Sequence, residues 1–185
     1  ADIASHYETM CDDKPDVVQK AMIVCSNREI AYKLYCALRK ERPNWFVPHR
    51  APNESKLTKD ELERLKELPM VNLVATRNKD DKPKEMYDLL GDKPHRQMLD
   101  AQFKEEKSNF KIAIVVDMWI TGFDVPCLAV LYNDKPLQKH TLIQTISRVN
   151  RKYPGKEFGL IVDYIGIHEN MQQALKMYGG DAIGI

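Results

Sequence analysis

Residues 21–29 read Ala-Met-Ile-Val-Cys-Ser-Asn-Arg-Glu, and this stretch decides the fold class. Five apolar residues run without alternation, then four polar or charged residues precede an apolar series at helical spacing, Ile30, Ala31, Leu34, Ala37 and Leu38. An unalternated run of branched side chains fits a strand buried on both faces, as in parallel sheets, and parallel strands need helical crossovers. The same unit recurs along the chain. Val71-Asn-Leu-Val-Ala75, Ile112-Ala-Ile-Val-Val116, Cys127-Leu-Ala-Val-Leu-Tyr132 and Phe158-Gly-Leu-Ile-Val162 are further runs of this kind. Helical patterns lie between them, around Met98, Leu99 and Phe103 and over Gln138–Arg151. Strand and helix alternate, which predicts a doubly wound α/β sheet with helices on both faces.

The chain has 185 residues, is 43% hydrophobic, and sets 28 Lys and Arg against 27 Asp and Glu. This is one sizeable domain, 1–185, and a net charge of +1 excludes a histone-like polycation while leaving room for local basic sites. No stretch approaches the ~20 apolar residues of a membrane span, and nothing resembles a signal peptide. Cys11, Cys25, Cys36 and Cys127 form no C-x-x-C pair, which suits buried thiols in a reducing cytosol. Residues 1–15 carry Ile3, Tyr7 and Met10 at helical spacing and read as a helix leading in from a missing N-terminal neighbour. Residues 57–68 are expected to be helical, and 48–70 and 77–110 to be charged helices and loops over one edge of the sheet.

In open α/β sheets ligands gather at the carboxyl ends of strands, so the residues after each run are the candidates. Ser26 and Glu29 have capping-box spacing; the same helix start, with Asn27 and Arg28, is also a phosphate site. Thr76 and Arg77 follow the second run and suit a nucleic-acid phosphate, or an ordinary loop. Gly122 and Asp124 fit a tight turn with an Asx-type hydrogen bond, or a cleft whose acid accepts from ribose hydroxyls. On the late helix, His140, Gln144, Arg148 and Arg151 share one stripe opposite Leu142, Ile143, Ile146 and Val149. No acid lies at i±3 or i±4 to neutralise the arginines, which suits a polyphosphate; Thr141 and Gln144 also have capping-box spacing. Glu54-Ser-Lys56, sitting in a Pro/Asn/Ser loop, is not a nuclease motif, and the five histidines lack metal-ligand spacing. No G-x-x-x-x-G-K-[ST] occurs, so the chain has no P-loop of its own.

Three stretches, in order, resemble motifs IV, V and VI of superfamily-two helicases: Ala21–Arg28, Thr121-Gly-Phe-Asp-Val-Pro126 and Gln144-Thr-Ile-Ser-Arg-Val-Asn-Arg151. With Lys139–Arg151 and Phe158–Ile167, the chain resembles the second RecA-like motor domain of the R subunit of type I restriction enzymes. The resemblance implies a motor that holds ATP between two such domains. The P-loop and the Mg2+-binding acids belong to the first, and no cofactor is expected on this piece alone. It implies Arg151 as arginine finger with Arg148 beside it, Gln144 orienting them, and Gly122 and Asp124 lining the nucleotide cleft. Ser26, Asn27, Arg28, Thr76 and Arg77 would meet the backbone of double-stranded DNA. The implied partners are the first motor domain and the methyltransferase and specificity subunits, in a prokaryotic cytoplasm. The family's hydroxyl before the acid ending motif V is absent, since the pair here is Val116-Asp117. The equivalent domain of another helicase or remodeller, and a non-catalytic RecA-like nucleic-acid-binding module, are the alternative readings.

Overall fold

In the computed structural model, residues 2–119, 123–137 and 139–165 are described. Five strands form one parallel sheet: β1 (Lys20–Cys25), β2 (Val71–Val74), β3 (Ile112–Val115), β4 (Leu128–Asp134) and β5 (Leu160–Asp163). Their order is β2-β3-β1-β4-β5, so the chain moves outward from β1, returns to its side with β3, then crosses to the other half. Every strand pair is parallel, with Ile23 of β1 opposite Ile114 of β3 and Tyr132 of β4.

The two faces of each strand feed two cores. Ala21, Ile23 and Cys25, with Ile112, Ile114, Val130 and Tyr132, pack against α1 (Asp2–Asp13), α2 (Arg28–Glu41) and α4 (Lys84–Leu90). Met22 and Val24, with Ala113, Val115 and Leu131, pack against Leu99 and Phe103 of α5 (Lys93–Lys104) and Val149 of α6 (Lys139–Val149). Burial on both faces is why the strands show no polar alternation. The leading helix packs on this same sheet. Ala4 and Tyr7 of α1 are buried, the Tyr7 hydroxyl donates to Gln19 O at 2.6 Å, and Arg42 pairs with Glu8.

Two expectations need correction. The helix foreseen over 57–68 shrinks to α3 (Lys59–Arg64), started by a Thr58–Glu61 capping box. It stops early because Leu65 and Leu68 turn into the interior, where Leu68 exchanges backbone hydrogen bonds with His49. The segment 77–110 is no edge covering either. It is the β2–β3 crossover, and its Met86 and Leu90 enter one core while Leu99 and Phe103 enter the other.

One charge is built into the second core. Lys20 is fully buried at the start of β1, where its Nζ donates to Phe103 O at 2.5 Å and Glu105 O at 2.8 Å. Burial lowers its pKa to about 7. A base with a depressed folded pKa holds fewer protons than the unfolded chain between about 7 and its ordinary 10.5, so its contribution to stability rises with pH across that window and is lost below it. In urea denaturation, the stability of the wild-type chain relative to Lys20→Met is expected to increase as pH is raised from 7 to 10. A pH-independent difference would refute the lowered pKa of Lys20.

Candidate nucleotide-finger and nucleic-acid sites

The predicted site residues fall into two groups at opposite ends of the sheet. At the carboxyl end, Ser26, Asn27 and Arg28 follow β1 and line a cleft of about 760 Å³ with Asp81, Lys82, Val116 and Asp117. Ser26 is not the cap of α2. The strand uses residues through Cys25, paired with Asp134, and the chain bends at Ser26. Asn27 takes the cap position, its side chain accepting from Ile30 N. The Ser26 hydroxyl therefore stays exposed at a helix N-terminus. Arg28 is not a free cation: its Nε meets Asp81 Oδ1 at 2.9 Å, and the Asp81 side chain is only 6% exposed. With its amide turned so that the oxygen faces the guanidinium, Asn78 accepts from Arg28 Nη2 at 2.8 Å. Thr76 is exposed after β2, and Arg77 lies over the Tyr87 ring at 4.4 Å rather than reaching into the cleft.

The second group forms at the other end. Lys156 Nζ donates to Pro126 O, Leu128 O and Val149 O at 2.9, 3.0 and 2.9 Å, which pins the end of α6 against the start of β4. The helix stops at Val149, so Arg151 lies beyond it and outside the expected stripe. Its guanidinium is neutralised after all, by a carboxylate from another element: Arg151 Nη1 lies 3.0 Å from Asp124 Oδ2, both side chains about half exposed. The buried side of α6 carries Thr145 and Val149, with Ile143 and Ile146 only half-buried. That rotation draws Arg148 inward. Its Nε is buried and meets no hydrogen-bond acceptor among the described residues. Gln144 is exposed, and because the helix begins at Lys139, Thr141 lies inside it and caps nothing. Gly122 and Gln138 lie outside the described residues, as do the side chains of His140 and Leu142.

The β3–β4 loop joins the two groups. Asp117 and Trp119 hold φ of 54° and 63°, in the left-handed region that non-glycine residues seldom occupy. Asp117 pairs with Lys135 beyond β4, and Trp119 stacks on Phe123 with centroids 4.3 Å apart. Phe123 and Val125 are buried, so Asp124 between them projects from an anchored segment.

Lys156 escaped the sequence reading because Lys-Tyr-Pro-Gly-Lys looks like an ordinary turn. Burial lowers its pKa, and its three acceptors come from three separate places in the chain. Lys156→Met would strand those carbonyls. We expect a loss of about 1–3 kcal/mol in urea unfolding; an unchanged midpoint would show that water replaces the ammonium without cost.

A family profile described as "Type I restriction enzyme subunit R domain 3" matches residues 18–166. The chain belongs to this R-subunit domain family. Among its relatives, the type I restriction enzyme HindI endonuclease subunit of Haemophilus influenzae is 35% identical over 182 residues, covering 96% of this chain and 15% of that protein. The subunit assigned as the type I enzyme MjaIXP endonuclease subunit of Methanocaldococcus jannaschii is 35% identical over 181 residues, 98% of this chain and again 15% of the relative. This R-subunit domain thus spans about a seventh of the curated relatives' length. A fragment structure assigned to an HsdR subunit of Vibrio vulnificus superimposes with TM-score 0.53 at 15% identity, covering 97% of this chain and 28% of that one. The DEAD-box protein Dbp5 of S. cerevisiae, in a structure bound to RNA and ADP BeF3, gives 0.53 at 19% identity, covering 90% and 34%. These likenesses establish the RecA-like fold for the R-subunit domain. Among its described residues no cluster of three or more His, Cys, Asp or Glu is arranged to hold a metal ion, and no helix is long and apolar enough to cross a membrane.

Proposed function

We propose that this domain is the second half of an ATP-driven DNA translocase in the R subunit of a type I restriction endonuclease. In that reading it lends an arginine finger to a nucleotide site completed by a first motor domain. The observation that carries the reading is the Arg151–Asp124 pair just beyond the pinned end of α6, with Arg148 in the last turn of that helix. The donor set suits a polyphosphate: the half-exposed fork of Arg151, the guanidinium of Arg148, whose buried Nε meets no acceptor among the described residues, and the exposed amide of Gln144 on the helix of Arg148.

ATP with Mg2+, held by the first domain, supplies a phosphoanhydride whose terminal phosphoryl group passes to water. Arg151 stabilises the charge that develops there, because a guanidinium keeps its proton and its planar geometry throughout. Arg148 adds a second positive charge beside it. Gln144 orients the pair, and Asp124 holds Arg151 extended until a stronger anion competes for it. At the opposite end of the sheet, Ser26 and Thr76 offer exposed hydroxyls to the duplex backbone, and Asn27, Arg28 and Arg77 frame them. Such contacts position the duplex without reading its sequence. The methyltransferase and specificity subunits complete the assembly in the prokaryotic cytoplasm.

The test is strand displacement by the complete enzyme. With ATP, it is expected to strip a triplex-forming oligonucleotide from duplex DNA ahead of it. ATP turnover without any displacement would leave an ATPase that does not translocate, and the reading would fall.

A further inference from the structure

Residues 77–84 read Arg-Asn-Lys-Asp-Asp-Lys-Pro-Lys, four cations against two carboxylates, of which the fold turns Asp81 inward and leaves Asp80 exposed beside the lysines. Asp81 is turned inward onto Arg28 and also accepts from the Asn78 backbone N–H at 2.6 Å. The next acid, Glu85, takes hydrogen bonds from the Tyr32 hydroxyl and Arg39 Nη1, each at 2.9 Å. The cations are left over. No ion pair reaches Lys79, Lys82 or Lys84 among the described residues, and all three are exposed. Arg77 lies on the Tyr87 ring with its charge intact.

The segment is also held in place. Asp81 ties it to the start of α2, Glu85 ties it to the middle of α2, and Met86 is buried beneath it. Lys79, Lys82 and Lys84 therefore stand on an anchored support, lining a broad open depression with Pro83 and Tyr87. That depression adjoins the cleft of Ser26–Arg28, since Asp81, Lys82 and Pro83 belong to both.

We propose that Lys79, Lys82 and Lys84 form a second phosphate-binding ledge that grips the backbone of duplex DNA beside the Ser26–Arg28 cleft. The inference rests on the DNA reading above and extends it to a segment outside the helicase motifs. A nucleic-acid backbone fits better than an acidic protein. The apolar lining of the depression is Pro83 and the Tyr87 ring, whose face Arg77 already covers, and none of the large exposed apolar side chains of the described residues, Ile30, Val47, Phe158, Tyr164 and Ile165, lies in it. A phosphate backbone needs only spaced cations, and each phosphate neutralised releases condensed counterions.

The experiment measures binding of labelled duplex DNA to the full-length R subunit across a salt series. Four proteins are compared: wild type, K79Q/K82Q/K84Q, a charge-matched control K40Q/K59Q/K66Q on other surfaces, and Ser26→Asp. The ledge variant is expected to bind at least ~10-fold more weakly at low salt, with a log–log salt slope shallower by about 2–3, while the control matches wild type. If the ledge variant matches the control and Ser26→Asp still weakens binding, the ledge is wrong and the DNA reading stands. If wild type shows no salt-dependent affinity for duplex, both fall. If the ledge variant keeps its duplex affinity but no longer joins the other subunits, the surface belongs to a protein partner and the proposal is overturned.

Discussion

Arg151→Ala in the intact R subunit is expected to lower ATP turnover by ~10³-fold or more while leaving duplex affinity within about twofold of wild type. The size follows from where an arginine finger acts. Charge spreads over the transferring phosphoryl oxygens during the reaction, and a guanidinium reaching in from across a domain interface meets that charge without reorganising. Arg151 is placed for this by its surroundings. Its helix ends at Val149, whose carbonyl is held by Lys156, and its fork rests on Asp124, itself set between buried Phe123 and Val125. Arg151→Lys should recover little, because an ammonium lacks the planar fork. Duplex affinity should persist because Ser26, Arg28 and Thr76 lie at the other end of the sheet. Near-normal turnover in Arg151→Ala would remove the finger assignment, and a collapse of DNA binding would move Arg151 into the nucleic-acid site.

Gly159→Ala is expected to be the most damaging glycine-to-alanine change among the described residues. A Cβ at residue 159 would lie 2.2 Å from Val149 O and 2.4 Å from Val149 C. These are backbone atoms at the end of α6, so no rotamer change can relieve the clash. Either the lead-in to β5 or the end of α6 must move. Overpacking of this kind costs about 1–3 kcal/mol, occasionally more. The displaced element also carries Arg151, and a misplacement near 1 Å can cost ~10²-fold in rate. Urea unfolding of the chain and ATP turnover of the intact subunit should therefore both fall in Gly159→Ala. A variant as stable and active as wild type would mean that the two segments do not meet as described.

The strands were readable because burial on both faces leaves a direct mark on composition. Ala21–Cys25 and Ile112–Val116 have no polar face to alternate with, and each lies within one residue of its observed strand at either end. Helix starts were harder. Ser26 and Asn27 are both good caps, and only the pairing of Cys25 with Asp134 decides where the strand lets go. The electrostatics of the site were the least legible. Spacing within one helix finds no acid for Arg151, yet its partner is Asp124, brought in by the loop that precedes β4. Arg28 reads as a phosphate ligand until the β2–β3 crossover presses Asp81 onto it. Lys156 bonds three carbonyls that no local pattern connects. Local rules see neighbours along the chain, and these contacts are made by topology.

The most direct measurement is a structure of the intact R subunit bound to duplex DNA, Mg2+ and a transition-state mimic of ATP hydrolysis. The prediction is that Arg151 has left Asp124 and that its guanidinium lies within hydrogen-bond distance of the group standing in for the transferring phosphoryl. An Arg151 still paired with Asp124, with no arginine of this domain at that group, would contradict the account.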